Sequence, residues 1–258
     1  TVLGEYLFRL LDRSDTAGGK LVLTAIAQYA DDEPNVVGSY TSELRSLLTT
    51  SSYTSNVVKC LATLAEDDPS RVIDTVPALA TTAESGDTEV QKWVMYTFSK
   101  IAATHQEELF PVIDTFSEAL VNDDHNLQLN ALSALGHITS AYPDAATPVV
   151  DDLTELLTSE HASVRGNAVG VLADVAQEHP DLVIDHATAI ADLLTDDAVD
   201  TRRNAAITLV RAGRADPPAV KSEHEALRAA LDDPDGGVRA NACTLIGNTN
   251  APVSADRL

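Results

Sequence analysis

The sequence is poor in cysteine, in aromatic residues and in long apolar segments. Its 258 residues include two cysteines, Cys60 and Cys243, which are too few and too far apart for a disulfide framework or a cysteine zinc site. No apolar run approaches the roughly 18 residues that a membrane-spanning helix needs, and no charged-then-apolar signal segment opens the chain. We therefore expect a soluble, cytoplasmic protein without membrane insertion, in which both cysteines are reduced core residues.

Basic residues are also scarce. Seventeen lysines and arginines stand against 40 aspartates and glutamates, which gives a net charge of −23. A surface of this charge repels polyanions, so the sequence predicts no nucleic-acid partner. Hydrophobic residues still make up 44% of the chain, which is enough for a core. We expect a folded monomer, because a net charge far from zero keeps copies apart.

The acidic composition is biased towards aspartate and away from lysine. The chain has 26 Asp and 14 Glu, and 5 Lys against 12 Arg. This looks like the composition of proteins from extreme halophiles, which accumulate salt. In molar salt the Debye length falls to about 3 Å, so the repulsion between these acids is largely screened. An individually acidic protein from an ordinary cytosol is the other interpretation.

A period of 37 residues runs through most of the chain. The segment VRGNA at 164–168 is followed by TRRNA at 201–205 and VRANA at 238–242, and LQLNA, VQKWV and YTSNV precede it at the same spacing. Apolar residues keep this period at two places in each repeat. They are Val57, Val94, Ala131, Ala168, Ala205 and Ala242, and, four positions later, Leu61, Phe98, Leu135, Leu172, Leu209 and Ile246.

A second apolar register lies between these segments, at Leu79, Phe116, Leu153, Ile190 and Leu227, and an apolar residue follows each of them four positions later. Apolar residues at i and i+4 mark one face of a helix. Prolines at Pro69, Pro143, Pro180 and Pro217 suit a first helical turn, where the missing N–H is unpaired anyway. Each repeat is therefore predicted to contain a helix A, a short turn and a helix B.

The turns between the two predicted helices are rich in aspartate. Carboxylates at a helix N-terminus cap free N–H groups and interact favourably with the helix dipole. We therefore expect the turn aspartates to cap the helices B. They are Asp87, Asp123, Asp124, Asp196, Asp197, Asp232, Asp233 and Asp235.

A unit of two helices cannot bury its own apolar face, so the units must stack on one another into one continuous core. The sequence predicts an all-α fold, a right-handed α-solenoid of about seven two-helix repeats, in a single domain over 1–258. The paired helices, the period and the acidic turn followed by V-R-x-N-A resemble HEAT repeats, which are related to armadillo repeats. The predicted units are 1–30, 36–66, 69–104, 106–141, 143–178, 180–213 and 217–249, followed by a tail at 250–258.

The resemblance to HEAT repeats implies that helix B lines the concave surface of the solenoid. Next to the stripe of helix B that is predicted to be buried, a second stripe at i, i+3 and i+7 borders this surface. We take from this second stripe the residues that we expect to bind a partner. They are Trp93, Tyr96, Lys100, Asn130, His137, Asn167, Asn204, Arg211 and Asn241.

Asparagine recurs at one position of this stripe, at Asn56, Asn130, Asn167, Asn204 and Asn241. One interpretation is a structural ladder, because a half-buried amide without a partner costs about 1–3 kcal/mol. The other follows armadillo proteins, whose groove asparagines grip the backbone of an extended peptide. Arginines stand two positions before three of these asparagines, at Arg165, Arg202 and Arg239, and we expect them to pair with aspartates of neighbouring repeats, as in HEAT arrays.

Charge and aromatic residues are unevenly distributed over the repeats. Helix B is predicted at 18–30, 52–65, 88–104, 125–141, 161–177, 199–213 and 236–249. These segments carry nine basic and three acidic residues, a net of +6, and the rest of the chain carries −29. Either this less acidic face meets a partner, or helix B is simply the more buried helix. All eleven aromatic residues lie at or before Tyr142. Trp93, Tyr96 and Lys100 form one helical stripe that either packs locally or anchors a partner, since Trp and Tyr are enriched at binding hot spots.

Motifs for catalysis or metal binding are missing from the sequence. No His-x-x-x-His, Cys-x-x-Cys or Gly-rich phosphate loop occurs, and His224–Glu225 is the only His-Glu dipeptide, so we predict no catalytic, metal or cofactor residue. We expect a non-catalytic protein–protein interaction scaffold that binds a protein or peptide partner along the concave helix-B face. The alternative is an enzyme or an enzyme regulatory subunit of HEAT-like type, similar to the bilin lyases, with an unrecognised site.

Overall fold

The computed structural model describes residues 2–48 and 53–249. Residues 1 and 49–52, which belong to the first two predicted repeats, and the predicted tail at 250–258 lie outside the described residues. The chain divides into two compact units, unit 1 at Thr1–Ala134 and unit 2 at Leu135–Leu258. The described residues form helices and no strand, which confirms the predicted all-α fold. The single domain over 1–258 stays a prediction.

The helices follow the 37-residue period. Unit 1 contains α1 (Val2–Leu11), α2 (Thr16–Asp32), α3 (Pro34–Gly38), α4 (Thr41–Leu48), α5 (Thr54–Asp67), α6 (Val76–Ser85), α7 (Thr88–Ala102), α8 (Asp114–Leu120) and most of α9 (His125–Thr139). Unit 2 contains the end of α9 and α10 (Val150–Glu155), α11 (Ala162–Glu178), α12 (Pro180–Ile184), α13 (Ala187–Asp192), α14 (Val199–Ala212), α15 (Pro217–Ser222), α16 (His224–Ala230) and α17 (Gly236–Thr249). The long helices at the predicted helix B positions are called the B helices: α2, α5, α7, α9, α11, α14 and α17.

Helix A was predicted as one helix, and in most repeats the structure divides it into short segments. In three repeats the first segment is a 3-10 helix, at Pro69–Arg71, Gln106–Val112 and Pro143–Val149. Pro111 and Pro148 lie inside the second and third of these segments, 37 residues apart. Proline lacks an N–H and its ring clashes with the carbonyl four residues earlier, so a straight α-helix cannot run through it. The prolines that were predicted at the first turn do lie there.

The two apolar registers form the core of the repeats. Every member of the register from Val57 to Ala242 is at most 1% exposed, and Leu79, Phe116, Leu153, Ile190 and Leu227 are fully buried. Ile246, in the last described repeat, is only half-buried. In unit 1, α5 packs between α2 and α7, and in unit 2, α14 packs between α11 and α17. Within each unit, the registers therefore place these B helices against one another.

The two cysteines have different environments. Cys60 is fully buried in α5, and its thiol donates to the backbone oxygen of Leu23 at 3.2 Å. Burial raises the pKa of the Cys60 thiol to about 12, so it stays protonated and unreactive at neutral pH. Cys243 is exposed on α17, so the prediction that both cysteines are core residues is wrong for Cys243. Its position, one after the buried Ala242, turns it to the other side of the helix.

Three of the eight turn aspartates cap B helices, as predicted, and Asp15 caps α2 by accepting from the Gly18 backbone N–H at 2.8 Å. Asp87, Asp124 and Asp235 occupy one position of the period and accept from the backbone N–H groups three residues later, at 3.0–3.1 Å. His161 and Ala198 occupy the same position before α11 and α14, and these two helices have no side-chain cap. Asp196 and Asp233 lie two positions earlier and serve mainly as partners of arginines.

Candidate partner-binding face

The arginines of unit 2 join neighbouring repeats. Arg165 on α11 lies 2.7 Å from Asp196, and Arg202 on α14 lies 2.7 Å from Asp233, in the turn of the following repeat. Both aspartate side chains are at most 6% exposed. Arg239 on α17 instead donates to backbone oxygens of its own turn, that of Asp233 among them at 2.7 Å. The structure therefore confirms the predicted pairing for Arg165 and Arg202, and the guanidinium groups are occupied.

Glutamine takes the same position in unit 1. Gln91 and Gln128 lie two residues before Trp93 and Asn130, as the arginines lie before their asparagines. Gln91 donates to the backbone oxygen of Ala83 at 3.2 Å, and Gln128 donates to that of Leu120 at 3.1 Å. The sequence interpretation missed this shared role, which the 37-residue register could have shown. The position serves to satisfy turn carbonyls, with or without a charge.

The charge of the B helices is much smaller than predicted. With the observed helix bounds they carry nine basic and eight acidic residues, a net of +1 instead of +6. The difference arises because α2, α5 and α11 extend beyond the predicted ends and include further acidic residues. Six of the nine basic residues also lie in ion pairs: Lys59, Lys92, Arg165, Arg202, Arg203 and Arg211. The B helices therefore do not form a free cationic face.

The asparagines of the period divide into two groups. Asn130 donates to the backbone oxygen of Lys92 at 3.1 Å, and Asn204 donates to that of Gly166 at 3.0 Å, in each case on the preceding B helix. Asn56 makes a longer contact of 3.4 Å with Thr24 Oγ1. Within the described residues, Asn167 and Asn241 make no side-chain hydrogen bond of this kind. Asn130 and Asn204 therefore fit the structural ladder, and Asn167 and Asn241 do not.

The other predicted binding residues are separated between the two units. Trp93, Tyr96, Lys100 and Asn130 belong to unit 1, and His137, Asn167, Asn204, Arg211 and Asn241 belong to unit 2. His137 is exposed near the end of α9. Arg211 donates to the backbone oxygen of Ala173 at 2.5 Å and lies 3.2 Å from Asp174, so it links α14 to α11. Gly170 on α11 allows this close packing, because a Cβ there would lie 3.0 Å from Asn204 Nδ2.

An aromatic pair occupies the centre of α7. The rings of Trp93 and Tyr96 meet edge to face, with centroids 5.7 Å apart and an interplanar angle of 82°. Trp93 Nε1 donates to Glu89 Oε1 at 3.0 Å, and the Tyr96 hydroxyl donates to Glu66 on α5. Both aromatic side chains are half-buried, so part of each ring is open to solvent. The carboxylates hold the two rings in this arrangement.

Lysines of the chain lie against both rings. Lys59 Nζ on α5 is 5.3 Å from the centroid of the Trp93 ring and 3.0 Å from Glu89 Oε1. Lys100 Nζ is 4.6 Å from the centroid of the Tyr96 ring. Hydrogen bonds from Trp93 and then from Lys59 lower the pKa of Glu89, so its carboxylate is charged at neutral pH. Burial, and then the hydrogen bond to Glu66, raises the pKa of Tyr96, so its hydroxyl stays neutral.

The aromatic pair forms one wall of an open cleft of about 480 Å³, called the Trp93 cleft. Its lining comes from four consecutive B helices of unit 1, which are α2, α5, α7 and α9. The lining residues are Asp31, Ala62, Thr63, Glu66, Glu89, Lys92, Trp93, Tyr96 and Asn130. The sequence predicted Trp93, Tyr96 and Asn130 as partner-binding residues. It missed Asp31 and Glu66, because α2 and α5 were predicted to end at residues 30 and 65.

Lys92 at the edge of the cleft is held by two carboxylates. Its Nζ lies 3.2 Å from Asp124 Oδ2 and 3.5 Å from Glu89 Oε2. The hydrogen bond to Asp124 raises the pKa of Lys92. For Asp124, burial opposes ionisation, but hydrogen bonds from the Leu127 backbone N–H and from Lys92 outweigh it and lower the pKa. This lysine therefore joins α7 to the next turn.

Residues 2–48 and 53–249 show neither an arrangement for a metal ion nor one for a membrane span. In these ranges no group of three or more His, Cys, Asp or Glu side chains is arranged to hold a metal ion. No helix in the same ranges has both the length and the apolar composition that are needed to cross a bilayer.

Comparisons with known proteins agree with the repeat architecture. The model of the family described as the adaptin N-terminal region matches residues 76–255. Curated protein sequences include no significant match to the chain. The fold is similar to that of an engineered protein, with a TM-score of 0.69, 24% sequence identity, and coverage of 81% of this chain and 96% of that one.

Two designed armadillo repeat proteins are also similar in fold. One has a TM-score of 0.67 and 17% identity over 81% of this chain and 99% of that one. The other was solved in complex with the peptide (KR)4 and has a TM-score of 0.68 and 16% identity over 81% of this chain and 98% of that one. At these identities the likeness shows the fold alone. It confirms the predicted likeness to HEAT and armadillo repeats.

Proposed function

The chain belongs to the family of the adaptin N-terminal region, and we propose that it is a non-catalytic scaffold that binds a protein or peptide partner along its B helices. Armadillo-like and HEAT-like repeats are commonly protein-binding scaffolds. The observation that carries the proposal is the Trp93 cleft, which contains a partly exposed aromatic pair and is lined by residues of four consecutive B helices. Tryptophan and tyrosine in such positions are typical hot spots of protein interfaces.

A peptide partner is supported by the comparisons as well as by the cleft. One designed armadillo repeat protein of similar fold binds the peptide (KR)4, and others were designed for modular peptide recognition. By analogy we propose that the concave face of this chain receives an extended segment of its partner. In unit 1, Trp93, Tyr96 and Lys100 would provide an anchor, and in unit 2, Asn167 and Asn241 would be available to bind a peptide backbone.

The first test is capture of the partner with and without the Trp93 ring. We expect Trp93→Ala to weaken binding of the partner captured from a native lysate by tenfold or more, since truncated hot spots cost about 2 kcal/mol or more. Tyr6→Ala, which removes an aromatic ring that is 61% exposed on α1, is the control and should leave the affinity unchanged. The affinity is measured by isothermal calorimetry, and circular dichroism verifies that both variants are folded.

Two results would contradict the scaffold proposal. If a folded Trp93→Ala variant bound the partner with unchanged affinity, the cleft would not be part of the interface. A substrate turned over by the pure protein, or a chromophore that copurifies with it, would instead support the enzyme alternative, which no feature of the described residues favours.

We also propose that the protein works as a monomer in a cytoplasm of high salt concentration. The composition supports this, because a net charge of −23 strains a fold in dilute buffer and is screened in molar salt. We expect the melting temperature to rise by about 10 °C or more between 0.1 M and 3 M KCl, measured by calorimetry, with light scattering at both salt concentrations to verify the mass. If the melting temperature did not depend on KCl, the protein would instead be an acidic protein of an ordinary cytosol.

A further inference from the structure

The ring faces of the Trp93 cleft already bind cations. Lys59 lies over Trp93 and Lys100 lies over Tyr96, at 5.3 and 4.6 Å from the ring centroids. Ammonium and guanidinium groups are attracted to the negative face of an aromatic ring, most strongly to that of tryptophan. Lys59 is 38% exposed, so its position on the ring is not imposed by burial. These contacts indicate that both ring faces favour a cationic group.

Carboxylates surround the rings. Asp31, Glu66 and Glu89 line the cleft, and among the described lining residues Lys92 is the only cation. Lys92 is paired with Asp124 outside the lining and with Glu89. The cleft therefore offers a ligand more negative than positive charge, in a chain whose net charge is −23. An acidic ligand would be repelled, and a basic ligand would be attracted.

The arrangement of the lining residues suits an extended chain. The four B helices that line the cleft are separated by three intervals of about 8–10 Å, and an extended chain at about 3.3 Å per residue covers that distance with eight or nine residues. A ligand that reaches from Asp31 on α2 to Asn130 on α9 must be elongated.

We propose that the Trp93 cleft binds an extended basic peptide segment of the partner, and that an arginine of this segment replaces Lys59 between the Trp93 ring and Glu89. This inference rests on the proposed scaffold function and names the class of its partner. Arginine fits better than lysine, because a planar guanidinium can stack on the indole and donate two hydrogen bonds to one carboxylate. Lys59 is the resident cation that the arginine must displace.

This exchange predicts opposite effects for two neighbouring side chains. Removal of Lys59 frees the ring face and one acceptor position of Glu89 Oε1, which still accepts from Trp93 Nε1, so a basic peptide should bind more tightly. Removal of the Trp93 ring or of the Glu89 charge takes away the arginine site, so the same peptide should bind more weakly. A purely structural role of Lys59, as a link between α5 and α7, predicts no gain in affinity.

The test uses the full chain and a fluorescein-labelled nonapeptide in which arginine and serine alternate, with fluorescence anisotropy at 0.1 M KCl and pH 7.5. We expect Lys59→Met to tighten binding by about three- to fivefold, the size of one exposed cation–π contact. Trp93→Leu, which keeps an apolar side chain, and Glu89→Gln should each weaken binding by about tenfold. Both positions are partly exposed, and thermal melting verifies the fold of each variant.

Matched controls separate the site from the overall charge. Lys20→Met removes an exposed lysine from another B helix, and Glu160→Gln removes an exposed carboxylate from unit 2. Each should change the affinity by less than twofold. An equal gain from Lys59→Met and Lys20→Met would overturn the exchange, because the gain would then reflect net charge alone.

Further outcomes distinguish this inference from the scaffold function. Tighter binding of a matched peptide with glutamate in place of arginine would overturn the basic class of the ligand. If the captured partner depends on Trp93 and the arginine peptide does not bind, the inference fails and the scaffold function stands. If the arginine peptide binds and follows the expected order of variants while the captured partner ignores Trp93, the chemistry of the cleft stands and the scaffold proposal fails.

Discussion

Replacing Phe98 with alanine is expected to lower the free energy of unfolding of unit 1 by about 3–5 kcal/mol. Phe98 is fully buried on α7, and its ring centroid lies 5.9 Å from that of Phe116 on α8. The other repeats have leucine or isoleucine at both positions, so truncation to alanine removes more buried volume at Phe98 than it would in those repeats. Urea unfolding followed by circular dichroism measures the loss.

The control for Phe98 is another phenylalanine of the same unit. Phe110 is 38% exposed, and Phe110→Ala should cost no more than about 1 kcal/mol, because most of the transfer and cavity cost is absent at a partly exposed site. Equal losses for the two variants would show that the Phe98 ring is not packed as described. Because Trp93 and Tyr96 share α7 with Phe98, the loss should also weaken partner binding through the fold.

Replacing Asp233 with alanine is expected to destabilise unit 2 by about 2–4 kcal/mol, because it leaves Arg202 largely buried without its partner. Asp233 is 6% exposed, lies 2.7 Å from Arg202 Nε, and also accepts from the backbone N–H of Asp235 at 2.7 Å. Asp200→Ala is the control. It removes an exposed carboxylate that pairs with Arg203, and a surface pair of this kind is worth about 1 kcal/mol or less.

The effect of Asp233 should depend on pH with a definite sign. Burial opposes ionisation of this carboxyl, but the hydrogen bonds from Arg202 and from the Asp235 backbone N–H outweigh it, so the pKa is lowered on folding. A lowered pKa stabilises the fold above the unfolded value of about 3.9, and this contribution disappears as the pH falls through the folded value. The difference between the parent chain and Asp233→Ala should therefore be full at pH 7 and shrink below about pH 4. A difference that persists at low pH would contradict the ion pair.

Local patterns were sufficient to predict the repeats. Phe98 and Leu172 occupy one register, and Phe116 and Ile190 occupy the other, and all four are fully buried. This works because apolar spacing depends on the 3.6-residue turn of a helix, which each segment carries in its own sequence. The turn prolines and the caps at Asp87 and Asp124 were predictable for the same reason, since capping involves residues only a few positions apart.

The predictions that were wrong or incomplete involve helix ends and distant partners. Asp31 and Glu66 were left outside the helices, because the sequence does not mark the last turn of α2 and α5 clearly, and both residues line the Trp93 cleft. The division of helix A in the repeats with Pro111 and Pro148 was also missed. A proline allows a helix to begin there or forces it to break, and the neighbouring packing decides between the two.

The sequence by itself determined the all-α fold, the 37-residue period and the core positions, because these follow from the spacing of apolar residues. It predicted that Arg165 and Arg202 pair with aspartates of a neighbouring repeat, and the structure identified these as Asp196 and Asp233. Only the tertiary structure decided which charges are free. Lys59 meets Glu89, and Lys92 meets Asp124, about thirty residues along the chain, at distances that depend on helix length and on the packing of neighbouring repeats. Ion pairs need atoms within about 4 Å, and six of the nine basic residues on the B helices lie in such pairs, so the less acidic face predicted from the sequence is not a free cationic surface.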